Sequence, residues 1–282
     1  MSETKSRQLS AVARFHQMHE SGCFVLPNPW DAGTAVFLER IGFEALATTS
    51  SGYAFSRGLP DSVTAIKRDD MLTHFREVAA ATNLPVNADF QNGYANEAED
   101  VAANVTLCVA TGVAGLSIED ATGNPASPLY EQELAVRRIR AARAAIDGTG
   151  IPVVLTARCE AWLEGQPDPL PFAIERLVAF AEAGADCLYA PGVSDPDEIG
   201  AIVNAVSPKP VNVLLSWASP ALTVSRLAGL GVRRISVGSA MARVAWAAFL
   251  RSARNIRETG TFDSFADAAP FKELNDVFTS RD

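Results

Sequence analysis

Eight short apolar runs punctuate the chain, and each is followed by a longer stretch in which apolar residues recur at helical spacing. The runs are CFVLP (23–27), EALATT (44–49), PVNADF (85–90), VAGLSI (113–118), PVVLTA (152–157), ADCLYA (185–190), PVNVLL (210–215) and RRISVG (233–238). Most are apolar throughout instead of alternating, as expected for strands covered on both faces of a parallel sheet. The stretches between them predict helices over 31–41, 64–82, 97–111, 131–147, 169–183, 195–206, 219–229 and 239–258, with one more at 7–19. Asp195-Pro196 and Ser219-Pro220 each place a cap residue before a first-turn proline. Gly42, Gly112, Gly184 and Gly231 fall where helices stop before strands, and three of those junctions share one shape: TGVAGLSI, AGADCLYA and LGVRRISV. Eight βα units predict a closed parallel barrel, an α/β fold of the (β/α)8 TIM-barrel type.

No Ser/Gly-rich linker interrupts the series. Residues 1–258 therefore read as the barrel with its N-terminal helix, and 259–282 as a C-terminal helical extension of the same domain. That extension carries Phe262, Phe265, Phe271 and Phe278. Two readings stay open for them: a cover for the outside of the barrel, or part of a subunit interface.

Composition narrows the chemistry. The chain has 282 residues, 48% hydrophobic and 20% charged, which describes a soluble globular protein. Its net charge of −9, with no basic block, argues against nucleic-acid binding and against docking on anionic lipid. The opening MSETKSRQLS lacks the apolar core of a signal peptide, and no apolar run reaches transmembrane length. Cys23, Cys108, Cys159 and Cys187 form no CxxC pair and read as reduced thiols of a cytoplasmic protein. Only His16, His19 and His74 could serve a histidine-based triad or zinc site, and all lie in predicted helices early in the chain. Lys5, Lys67, Lys209 and Lys272 all lie away from the C-terminal ends of the predicted strands, so a Schiff-base lysine is not expected. What remains is carboxylates, Arg, Tyr, Ser and Cys.

A barrel of this type places its active site at the C-terminal ends of the strands. Those ends supply Asn28, Trp30 and Asp31; Ser50, Ser51, Gly52 and Tyr53; Asn87 and Asp89, followed by Gln91, Asn92 and Tyr94; Glu119 and Asp120; and Arg158, Cys159 and Glu160. The sixth and seventh ends give little beyond Ala190-Pro191-Gly192, Ser216 and Trp217. Asp61 joins the carboxylates from the loop after the second strand. Oxygen-only ligands suit a hard cation such as Mg²⁺. Arg158 could form a bidentate fork with a substrate carboxylate, or merely neutralise Glu160 or Glu119. The backbone N–H groups of Ser51-Gly52-Tyr53 could hold a second anionic group. Asp31 and Asp120 also read as helix caps, Cys159 as a packed thiol, and SVGSAMAR (236–243) as a plain strand-to-helix turn or a phosphate seat.

The segments PNPWDAGTAVFLERIGFEALATTSSGYA, PVNADFQNGYA, GLSIED, TARCEAW and PVNVLLSWASPALTVSRLAGLGVRRISVGSAMAR, taken in order, resemble the isocitrate lyase/phosphoenolpyruvate mutase superfamily. The likeness covers about residues 10–255. It implies a (β/α)8 barrel whose eighth helix is exchanged between subunits, a homotetramer built as a dimer of dimers, and Mg²⁺ at the strand ends. It also implies C–C or P–C bond chemistry on 2-oxo or 2-hydroxy acids through an enolate. By position, Ser51, Gly52 and Tyr53 match the segment that holds the substrate carboxylate, and Asp61 the acidic residue after it. Asp89 matches the second Asp of the family's DAD motif, Glu119 its strand-four glutamate and Arg158 its strand-five arginine. Two departures stand out. Asn87 replaces the first Asp of DAD, and the loop ATGNPASPLYEQE lacks the Cys of the lyases' KKCGH-like segment and the mutases' lysine.

The expected activity is Mg²⁺-dependent C–C cleavage, by a lyase or decarboxylase, of a small 2-oxo or 2-hydroxy carboxylate. Oxaloacetate decarboxylation fits the missing Cys better than isocitrate lysis does. Asp89, Asn87, Asp61 and Glu119 are the expected metal residues. Trp30, Ser51, Gly52, Tyr53 and Arg158 are the expected substrate residues, and Tyr53 or Tyr94 the proton donor. The alternatives are a P–C bond enzyme of the phosphonopyruvate mutase or hydrolase kind, and a dicarboxylate-binding barrel without turnover.

Overall fold

In a computed structural model describing residues 3–279, eight short parallel strands form one sheet: β1 Phe24–Leu26, β2 Leu46–Ala47, β3 Val86–Asp89, β4 Gly115–Glu119, β5 Val154–Arg158, β6 Cys187–Tyr189, β7 Val211–Leu214 and β8 Arg234–Ser236. Their order is β1-β8-β7-β6-β5-β4-β3-β2. The remaining gap is bridged by a backbone hydrogen bond, donated by Ala47 N–H to the carbonyl of Pro27 at 3.0 Å, and by Asn28 Nδ2 donating to the Thr48 carbonyl at 2.9 Å. The result is a nearly closed barrel; six strands fall inside their predicted runs, and β4 and β5 each extend one residue further, to Glu119 and Arg158.

Helices wrap the strands: α1 Glu3–Glu20, α2 Ala32–Ile41, α3 Ser50–Ser56, α4 Arg68–Ala81, α5 Ala98–Val109, α6 Gln132–Thr149, α7 Pro169–Glu182, α8 Pro196–Val206, α9 Val224–Gly229, α10 Ala240–Thr259 and α11 Phe271–Thr279. Asp195 caps α8 as its sequence predicts, accepting from the N–H groups of Asp197 and Glu198. Ser219-Pro220 does not start a helix. The chain turns there, and α9 begins later because Thr223 caps it by accepting from Arg226 N–H. The short α3 lies where an open anion-binding segment is expected. Thr49 caps it, and the cap draws residues 50–56 into helix.

The N-terminal end of the barrel is plugged by α1. Phe15 is fully buried, edge-on to His19 at 4.7 Å and to Phe24 at 6.1 Å. Gly115 leaves room for that plug: a Cβ there would lie 2.7 Å from Phe15 Cε1 and 2.8 Å from Asn87 Oδ1. Gly184 closes the α7–β6 junction at φ 105°, a conformation that glycine adopts without a Cβ penalty.

The C-terminal segment covers the outside of the barrel at one of its four phenylalanines. Phe278 of α11 packs edge-on against Phe37 of α2 at 5.3 Å, whereas Phe262, Phe265 and Phe271 remain exposed. Twenty-residue α10 buries only Ala242 and exposes Val244, Trp246, Phe249 and Leu250. Among the described residues no helix is long and apolar enough to cross a membrane.

Candidate active site

The C-terminal ends of the strands open into a cavity of about 410 Å³. Strand register assembles its charged rim, because Glu119 pairs with Arg158 across β4 and β5 while Asp89 ends neighbouring β3. Arg158 Nη1 donates to Asp89 Oδ1 at 2.8 Å and lies 3.1 Å from Glu119 Oε2, and its Nε donates to Glu160 Oε1 at 2.9 Å. The guanidinium also stands 5.1 Å from the Tyr189 ring centroid. Both readings of Arg158 thus meet here: it neutralises carboxylates, and it lines the cavity where a substrate would lie.

Burial governs the rim's electrostatics. It pushes the Glu119 carboxyl well above its usual range although Arg158 opposes it, and lifts Glu160 to about 7. Asp61 is raised as well, with hydrogen bonds from Ser51 and Ser50 acting against burial. Burial disfavours the charge on Arg158 too, but Glu160, Glu119 and Asp89 outweigh it and hold the guanidinium more firmly protonated than usual. Glu160 is held from behind. Asp120 Oδ1 accepts its N–H at 2.8 Å, and Asp120 Oδ2 pairs with buried Arg176 at 2.8 Å. Asp120 is therefore half of a buried ion pair, not a helix cap. Asp31 is the cap expected of it, accepting from Thr34 N–H at the start of α2.

Of the expected site residues, Asp61, Asn87, Asp89, Glu119, Arg158 and Ser51 line the cavity. Asp61 accepts from the hydroxyls of Ser50, at 3.4 Å, and Ser51, while Asp89 Oδ2 accepts from Ser50 N–H at 2.9 Å. Trp30, Gly52, Tyr53 and Tyr94 are not brought to it. The N–H groups of Gly52 and Tyr53 are spent on Thr49 in forming α3, so the expected backbone cradle over 51–53 is largely consumed. Gly52 instead permits close packing, since a Cβ there would lie 2.6 Å from Thr49 and 3.0 Å from Trp30. The Tyr53 ring stacks on His74 at 4.4 Å. Tyr94 packs against Phe90 with its hydroxyl buried and unpartnered, and burial followed by Asp89 and Glu119 makes that phenol harder to deprotonate. Such a group donates a hydrogen bond but is a poor acid.

Two further strand-end candidates, Asn28 and Cys159, are held in structural roles. Asn28 Oδ1 accepts from the N–H groups of Val237 and Gly238, so the turn before α10 has those donors occupied. Cys159 is fully buried, and burial pushes its thiol pKa well up, which leaves it an inert packed side chain.

All donors facing the cavity that could hold a cation are oxygens. Asn87 Oδ1 and Gln91 Oε1, both buried in the lining, have no hydrogen-bond partner. Two orphaned acceptors in the lining that Asp89 and Glu119 share fit a hard divalent ion that keeps water ligands. Against this, no three His, Cys or carboxylate groups converge on a single metal position among the described residues. Arg158 shares the oxygens a metal would need.

Sequence reading missed the floor of the cavity. Ser117, Tyr189, Asn212, Arg234 and Ser236 also line it. Arg234 Nε donates to Asn212 Oδ1 at 2.9 Å and its Nη2 to Thr156 Oγ1 at 3.0 Å, while its Nη1 lies 3.3 Å from His19 Nε2. The available signal was polar residues embedded in apolar strands, as in PVNVLL and RRISVG.

A family profile described as phosphoenolpyruvate phosphomutase matches residues 15–257. A crystal structure from Burkholderia cenocepacia, described as a lyase or mutase, is 47% identical with a TM-score of 0.94, covering 98% of each chain. The 2-methylisocitrate lyase of Escherichia coli is 33% identical over 70% of this chain and 67% of its own. An oxaloacetate acetylhydrolase solved with its product oxalate is 27% identical with a TM-score of 0.86, covering 97% of this chain and 95% of that one.

Proposed function

The chain belongs to the phosphoenolpyruvate mutase family within the isocitrate lyase/phosphoenolpyruvate mutase superfamily, and from that premise we propose that it cleaves a C–C bond of a small 2-oxo carboxylate through an enolate, with Mg²⁺ as cofactor. The observation that carries this is the cluster of Asp89, Glu119 and Glu160 around Arg158, beside the orphaned oxygens of Asn87 and Gln91. Asp89 with Asn87, and through water Glu119 and Asp61, would hold the ion. Bound there, it supplies Lewis-acid stabilisation for enolate charge. Arg158 turns part of its fork from Asp89 to the substrate carboxylate and fixes the plane of the 2-oxo acid.

Oxaloacetate decarboxylation suits the residues best. Its C3–C4 bond breaks, CO₂ leaves, and the electron pair becomes an enolate that needs one proton at C3. No Cys is required. The loop over 121–133 lacks Cys, Lys and His, and an antiparallel bridge between Ala121 and Leu129 closes it. With Tyr53 and Tyr94 away from the cavity, the proton comes from Glu160, a buried carboxyl at the rim with its pKa lifted to about 7. A relative acting on oxaloacetate and solved with oxalate supports this substrate class.

The test is thermal unfolding with Mg²⁺, with oxalate and with both, followed by an oxaloacetate turnover assay. Oxalate mimics the planar chelating enolate. At a hundredfold excess over Kd a native-state ligand adds about 2.7 kcal/mol, a shift of a few degrees. A shift requiring both components, with pyruvate formation, is expected; no shift with either would overturn the reading. The second reading, a dicarboxylate-binding barrel without turnover, draws on the neutral Asn87 and on the grip of Arg158 on Asp89 and Glu119. Binding without product identifies it.

Two wider features belong to the same proposal. The apolar face of α10 supports its exchange between subunits in a homotetramer, which light scattering would check. The four free cysteines support a reducing, cytoplasmic setting.

A further inference from the structure

The interior of this barrel is polar where such barrels usually carry layers of Val, Ile and Leu. Beneath the rim lie Asn87, Ser117, Asn212 and Ser236, with Arg234 among them at 2% exposure. Among the described residues, the hydrogen-bond partners of Arg234 are neutral: Asn212, Thr156 and His19. His19 stays neutral there because burial, and then Arg234 itself, push its pKa down to about 3, and its Nδ1 is turned to the Phe15 carbonyl at 2.6 Å. Of the other buried arginines, two are ion-paired, and Arg138, which is not among the residues lining the cavity, also meets neutral groups. Arg176 pairs with Asp120, Arg158 with three carboxylates, and Arg138 donates to the carbonyls of Asn92, Ala95 and Asn96.

A guanidinium has five N–H groups, and three of those on Arg234 are used. Neutral hydrogen bonds offset part of the cost of burying that charge, and an anionic ligand in the cavity would supply the counter-ion they do not. We infer that Arg234 is a second anion seat within the cavity, taking the distal carboxylate of a dianionic 2-oxo acid whose 2-oxo carboxylate end lies at the Arg158 rim. The inference rests on the enolate-site reading and deepens it. Thr156 precedes Arg158 by two residues on β5, a rise of about 6.6 Å, which is the scale of a short diacid. The electrostatics agree. The rim carries Asp61, Asp89, Glu119 and Glu160 against Arg158, so a second anionic group is repelled there and attracted one layer lower. Arg158 and Arg234 are the cationic side chains in the lining.

The test compares two probes by calorimetry in the presence of Mg²⁺: oxalate, which ends at the rim, and 3,3-difluorooxaloacetate, which carries a distal carboxylate. Arg234→Gln is expected to weaken the longer probe by about ten- to a hundredfold, the loss of a charge-assisted hydrogen bond, and to leave oxalate within about twofold. Arg234→Lys should recover part of the loss. Thr156→Val, which frees the guanidinium without removing it, should reproduce a fraction of it, and it serves if Arg234→Gln does not fold. Equal weakening of both probes, or of neither, overturns the seat while leaving the rim reading intact. Failure of wild type to bind oxalate with Mg²⁺ overturns the rim reading and the seat together.

Discussion

Arg158 and Arg234 lie one strand layer apart in the same cavity, and their surroundings are opposite. Arg158 is outnumbered by the carboxylates it touches, whereas Arg234 meets only amide, hydroxyl and imidazole groups. The upper layer therefore carries a surplus of negative charge that suits a cation, and the lower layer a positive charge without a contact counter-ion. A buried charge is tolerated in both, through different means: ion pairing above, and neutral hydrogen bonds below. The difference also shows in titration. Burial raises the acids of the rim and lowers the histidine of the floor.

The comparison breaks most strongly at Arg158. Arg158→Met leaves Asp89, Glu119 and Glu160 buried without their partner, a cost of about 3–5 kcal/mol at pH 7.5. It should lower oxaloacetate turnover by about a hundred- to a thousandfold, as expected for loss of a preorganised charge on the reacting group. Urea unfolding and a steady-state assay check both, and wild-type turnover in this variant would remove Arg158 from the mechanism. The stability deficit should shrink toward pH 5, where the carboxyls gain protons.

The two layers should also respond to pH with opposite slopes. Glu160 is raised from 4.5 to about 7, so the native state holds a proton that the unfolded chain releases between those values. Its contribution to stability is full below pH 4.5 and is lost as pH rises through about 7. His19 is lowered from 6.5 to about 3, so its contribution is full above pH 6.5 and is lost as pH falls toward 3. His74, lowered to about 4 by burial, adds in the same sense as His19. Unfolding midpoints across pH should show Glu160→Gln flattening the loss toward neutral pH and His19→Gln flattening the loss toward acid. The swings are on the order of 3 kcal/mol for Glu160 and 5 kcal/mol for His19. Parallel profiles for the two variants would erase the contrast.

Smaller changes sharpen it. Asn87→Asp restores a charge at an orphaned oxygen of the cavity lining, and calorimetry should find Mg²⁺ bound about tenfold more tightly. Unchanged affinity would place the ion elsewhere. Asp31→Ala lies outside both layers and removes only the cap of α2. It should cost about 1 kcal/mol in urea unfolding and leave Mg²⁺ binding unaltered.

The sequence by itself determined the barrel, because a strand covered on both faces must be apolar along its whole length and so stands out as a run. It also determined the rim carboxylates and Arg158, since charges at the ends of such runs are conspicuous and the fold class says where those ends converge. It did not reveal α3, a short helix that depends on the cap at Thr49, nor the retreat of Tyr53 and Tyr94 into packing against His74 and Phe90. Whether a strand-end side chain turns into the cavity or away is settled by its neighbours' volume, which only tertiary structure fixes. The floor was hidden for a related reason. In RRISVG two adjacent arginines look alike, and strand alternation sends Arg234 inward while Arg233 reaches the carbonyl of Gly22 at the barrel's base. Which of the two lies inside depends on register with β7 and β1, a long-range pairing that local sequence does not encode.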